Sequence, residues 1–144
     1  MILKFRREFV EPILGGLKTF TIRIDGNNKW KKGAKIHFAT DIARKTYNNF
    51  LIGECKSIEI IELEYPKEKL TGRSFGTPII KIDGFAIPHE EATELAISEG
   101  YKNKSELIGF LRLNGSKGKI IHWTIEVYNE DVPTIKRIGR KWDN

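Results

Sequence analysis

The chain has 144 residues, enough for one domain with a single core and too few for two. With 40% hydrophobic and 31% charged residues, and no apolar run near the roughly 18 residues of a membrane span, the composition excludes a disordered or helically membrane-embedded protein. A formal net charge of +6 favours polyanionic partners through counterion release and steering.

The opening "MILKFRREF" mixes charges with apolar residues and lacks the apolar stretch and small-residue cleavage site of a secretory signal, so a cytoplasmic location is expected. "ILKFR" alternates and predicts a first strand. "REFVEPILGG" then places Phe9, Ile13 and Leu14 at helical spacing and ends in Gly15 and Gly16, which suit a left-handed cap. Pro12 makes this helix short. Strands are predicted for "KTFTIRI", "AKIHFAT" and the long "FLIGECKSIEIIEL", with "GNNKWKKG" as an exposed turn between the first two. The one cysteine, Cys55, lies in the long strand, where a buried thiol is expected, and it excludes an internal disulfide.

Residues 64–78, "EYPKEKLTGRSFGTP", hold two prolines and two glycines and predict a long loop, after which "IIKID" adds a short strand. Two helices follow. Pro88 stands near the start of "HEEATELAISEG" and Gly100 at its cap, while Asn103 and Glu106 form a capping-box spacing at the start of the second. "KIIHWTIEVY" closes as a strand. This order predicts an α+β fold, a small mixed β-barrel or curled sheet flanked by helices, over residues 1–128, with a charged extension at 129–144.

Two placements stand out chemically. In "KTFTIRI" a period of two puts Thr19, Thr21 and Arg23 on one face and Phe20, Ile22 and Ile24 on the other. Strict alternation sends Lys18 to the apolar side, a costly position for an amine, unless the turn at Gly16 and Leu17 leaves it at the mouth of the sheet. In the helix after Pro88, Ala92, Leu95, Ala96 and Glu99 form one stripe, so Glu99 continues the inward face and also sits in the last turn. Both features favour a neutral acid unless a cation lies near.

Basic residues gather at Lys29, Lys31 and Lys32 around Trp30, and at Lys136, Arg137, Arg140 and Lys141 beside Trp142, a pattern that serves both a solvated surface and a single-strand grip. His122 alternates with Trp123 on a strand and is expected to be structural. His37 and His89 have no neighbours at metal-ligand spacing, so neither a metal nor any cofactor is expected.

"FVEPILGGLKTFTIRI" followed by "KWKKGAKIHF" resembles the opening signature of the ASCH domain family, relatives of the PUA RNA-binding fold. "LAISEGYKNKSELIGFL" and "KIIHWTI" resemble its helical pair and last strand, and the likeness spans roughly residues 2–126. The resemblance implies a PUA-like small β-barrel with flanking helices. Small bacterial members include an amidohydrolase that removes the acetyl group from acetylated cytidine, and its catalytic lysine, threonine and glutamate would fall on Lys18, Thr21 and Glu99. Arg23 matches the family's strand arginine. Against the compact amidohydrolases this chain is longer and its Glu99-to-Glu106 spacing is shifted by one residue.

Two functions compete on this reading. One is a module that binds RNA or a nucleotide or nucleoside in a basic cleft next to the barrel, with Thr19, Arg23, Trp30 and Tyr101 as ligand contacts. The other is an amidohydrolase acting on N-acetylated cytidine through Lys18, Thr21 and Glu99. Ribonuclease activity, also known in the family, ranks lower because no histidine pair is evident.

Overall fold

A computed structural model describes residues 1–40, 48–67 and 76–128. Residues 68–75 of the expected loop, and the extension at 129–144 with its Trp142 cluster, lie outside the described residues. The architecture is mixed α+β. In chain order it runs β1 (Ile2–Phe5), α1 (Val10–Leu14), β2 (Phe20–Arg23), β3 (Lys35–Thr40), β4 (Asn48–Glu64), β5 (Ile79–Ile82), β6 (Phe85–Ala86), α2 (His89–Ser98), α3 (Lys104–Leu113) and β7 (Lys117–Tyr128). No helix among the described residues is long and apolar enough to cross a membrane.

The chain divides into two compact units. Among the described residues the first comprises residues 1–21, 28–40, 48–58 and 121–128; the second comprises residues 22–27, 59–67 and 76–120. In the first unit β1 pairs parallel with β3, and β3 pairs antiparallel with β4 across a bulge at Phe38 and Ala39. These strands bury Leu3 and Phe5 from β1, Ile36 and Phe38 from β3, Phe50, Leu51 and Cys55 from β4, and Ile121 and Trp123 from β7. An aromatic cluster sits at the centre of this core, with Phe38 stacked on Phe5 at 6.0 Å and edge-on to Trp123 at 5.0 Å. Cys55 is buried, as its place on the strand predicted.

Close strand approach in this unit depends on Gly53. A β-carbon there would lie 2.5 Å from the Thr124 carbonyl oxygen and 3.0 Å from the Phe38 ring. The nearer obstacle is backbone and cannot rotate away. Gly53→Ala is therefore expected to cost about 2 kcal/mol, the range of an overpacked core. A chemical-denaturation midpoint equal to that of the native chain would contradict this close approach.

In the second unit the last residues of β4 pair antiparallel with β5, Ile61 opposite Ile82, and β5 pairs with β6 through a tight turn at Asp83 and Gly84. Asp83 adopts a left-handed φ of 51°, and its Oδ1 accepts the Ile60 N–H at 2.8 Å, so the turn is tied back to β4. The hairpin was not expected from sequence. Ala92, Leu95 and Ala96 of α2 are buried, as their stripe predicts, and so are Leu107, Ile108 and Leu111 of α3. Asn103 caps α3 by accepting the Glu106 N–H at 3.0 Å, while the Glu106 carboxylate reaches back to the Lys102 N–H at 2.7 Å.

Candidate functional site

Helix ends place the residues singled out by sequence. Helix α1 stops in a Schellman motif: Gly16 takes a φ of +77°, its N–H bonds the Ile13 carbonyl at 3.2 Å, and the Leu17 N–H bonds the Pro12 carbonyl at 2.9 Å. A side chain at Gly16 would be strained in that conformation. The Lys18 N–H joins the same Pro12 carbonyl at 3.0 Å, so the turn delivers Lys18 at a fixed point before β2.

The turn does not leave Lys18 at the mouth of the sheet. Its side chain is 7% exposed, and the ammonium lies 5.0 Å from the centre of the Phe9 ring and 5.5 Å from that of Phe20. Alternation puts Lys18 with Phe20, and the two meet, but β2 buries Thr21 and Ile22 side by side and leaves Ile24 exposed, so the strand lacks the separate polar and apolar faces expected of it. Two ring faces make the position tolerable, since a desolvated cation over a ring gains about 2 kcal/mol. Phe9 and Phe20 were not expected as partners of this amine, and sequence held only a weak signal for them, their positions flanking Lys18.

Thr21 is 2% exposed, whereas Thr19 is exposed and contributes its carbonyl to the Trp123 N–H at 3.2 Å. His122 is half-buried with its ring 5.5 Å from that of Phe20. Trp30, a ligand contact on the binding reading, is 8% exposed and packs in the apolar cluster of the first unit, while Lys29, Lys31 and Lys32 beside it are exposed.

In the second unit a further Schellman motif ends α2. The Gly100 N–H bonds the Ile97 carbonyl at 3.0 Å and the Tyr101 N–H bonds the Ala96 carbonyl at 3.0 Å. Glu99 is thereby fixed at the cap, and Tyr101 follows the glycine with its ring 5.9 Å from that of Phe110. The half-buried Glu99 turns to β2, where its Oε1 accepts the Ile22 N–H at 2.6 Å. Burial pushes the Arg23 guanidinium below its ordinary value, and the charge of Glu99, then Tyr101, opposes that shift. Arg23, Glu99 and Tyr101 thus form one electrostatic cluster.

Beyond Arg23, the Lys119 ammonium meets the Asp25 carboxylate at 2.9 Å, with side chains only 12% and 3% exposed. This pair was not expected from sequence. Its signal was available: Lys119 shares alternation with the inward residues Ile121 and Trp123, and a lysine in that register needs a counter-ion.

Among the described residues, no three His, Cys, Asp or Glu side chains are grouped as metal ligands. No family model, curated protein or solved structure matches the chain.

Proposed function

We propose that the chain is an ASCH-type domain of PUA-like fold that binds RNA or a nucleotide or nucleoside, with Lys18, Thr21, Arg23 and Glu99 as principal ligand residues and Thr19 and Tyr101 as further contacts. The observation that carries this reading is the Glu99 carboxylate accepting the Ile22 N–H beside the charge of Arg23. A carboxylate that accepts one N–H can also accept from a base edge, such as the exocyclic amine of cytosine. The net charge of +6 supports a polyanionic partner.

Binding of short single-stranded RNAs followed across about 50–200 mM salt tests it. Affinity is expected to fall by at least about tenfold over that range, as several released counterions require. Weak retention with no salt dependence would argue against the reading.

The amidohydrolase reading is favoured by a different observation: Lys18 and Thr21 are both sheltered from water, at 7% and 2% exposure. In that chemistry the Lys18 amine takes the Thr21 hydroxyl proton, the Thr21 oxygen attacks the amide carbonyl and takes up the acetyl group, Glu99 gives a proton to the departing cytosine amine, and water then hydrolyses the Thr21 ester to release acetate. The binding reading needs no proton transfer between residues and ranks first.

A further inference from the structure

The second unit carries an inference about which part of a ligand Arg23 can meet, and it rests on the ligand-binding reading. An arginine in a nucleotide-binding protein ordinarily serves phosphate, through two parallel hydrogen bonds. Arg23 is placed differently. Its guanidinium is largely enclosed, and the carboxylate acting on it is anchored rather than loose. Glu99 is held from both sides: the cap of α2 fixes its backbone, and the Ile22 N–H fixes its Oε1 at 2.6 Å. Ile22 is only 5% exposed, so withdrawal of Glu99 would strand a buried N–H. The carboxylate therefore stays. Any phosphate approaching Arg23 meets a fixed negative charge in poorly screened surroundings.

We propose that Glu99 is a specificity-determining residue that excludes phosphate from Arg23, so that the Arg23, Glu99 and Tyr101 cluster receives an uncharged part of the ligand, a base or a ribose, and the phosphates of RNA are held elsewhere by surface cations. An uncharged base suits the cluster chemically. The carboxylate accepts from an amine, the guanidinium donates to a carbonyl, and the Tyr101 ring offers a face for stacking.

The test is a titration of the full chain with inorganic phosphate, followed by amide resonances of residues 22, 23 and 99–101. In the native protein these amides are expected to stay unmoved up to tens of millimolar phosphate, on the order expected where a fixed like charge opposes entry. Glu99→Gln keeps an oxygen for the Ile22 N–H and removes the charge, and there the same amides are expected to shift and saturate. A matched titration with cytidine and with cytidine monophosphate should show the monophosphate gaining at least about tenfold relative to the nucleoside in Glu99→Gln, the size of one charge-assisted contact. Saturable phosphate binding at these amides in the native protein overturns the proposal, and needs no variant to be seen. So does an unchanged monophosphate-to-nucleoside ratio in folded Glu99→Gln. If neither cytidine nor RNA binds while the phosphate results hold, the ligand-binding reading falls and the exclusion of phosphate from Arg23 stands.

Discussion

Replacing Asp25 by alanine is expected to destabilise the protein by about 3 kcal/mol, among the largest losses any single surface-distant polar substitution here would cause. The Lys119 ammonium is 12% exposed and lies 2.9 Å from a carboxylate that is 3% exposed, so removal of Asp25 takes the counter-charge from a cation that water cannot readily reach. Asp25→Asn keeps an acceptor oxygen and should lose about half as much, because a neutral hydrogen bond is roughly half as strong as a charge-assisted one. The double variant Asp25→Leu with Lys119→Met removes both charges and should recover most of the loss, since buried pairs replaced together by apolar groups are often near neutral. Equilibrium denaturation of the four proteins measures the coupling directly. A loss below about 1 kcal/mol for Asp25→Ala would mean the pair behaves as an exposed one, contrary to its burial. The consequence reaches the candidate site. Asp25 follows Arg23 by two residues and Lys119 belongs to β7, which pairs with β2, so the ion pair ties down the end of the strand that carries Arg23.

The strands were legible because alternation is a local property. β1, β3, β5 and β7 fall within a residue or two of the runs that predicted them, and β4 extends its predicted run by two residues at its start and one at its end. Helix boundaries were legible for the same reason, since Gly16, Gly100 and Asn103 act on backbone groups a few residues away. The Asp83 and Gly84 turn carried a hairpin signal that went unused, because the apolar residues of β6 number only two and give no period to detect. The site was legible in part. Lys18 and Glu99 announced themselves by being charged at positions whose neighbours are apolar. What each of them touches was not readable, because Phe9 and Phe20 around Lys18, and the Ile22 N–H bound by Glu99, are tertiary choices that no spacing encodes. Trp30 was readable in two ways: a tryptophan between lysines suits a stacking platform, and its own apolar area also suits the core, where it packs.

Lys18→Met should separate function from folding. Methionine keeps an unbranched apolar stem between the Phe9 and Phe20 rings and removes only the charge, so stability is expected to stay within about 1.5 kcal/mol of the native chain. Ligand affinity is a different matter. If the ammonium contacts the ligand, its loss removes a hydrogen bond from a charged group, worth about 1.5–3 kcal/mol, and affinity for RNA or nucleoside should drop by about 10- to 100-fold. The two functional readings then part company on Thr21. A binding module loses one neutral hydrogen bond in Thr21→Val, no more than about tenfold in affinity. An amidohydrolase loses its nucleophile, and release of cytidine from its N-acetylated form should fall by at least about a thousandfold in Thr21→Val as in Lys18→Met. Lys18→Met with native affinity and native turnover would show that the buried amine only fills space between two rings. In that case Phe9 and Phe20 would be the reason a lysine is tolerated there, and the resemblance to a catalytic lysine would carry no chemistry.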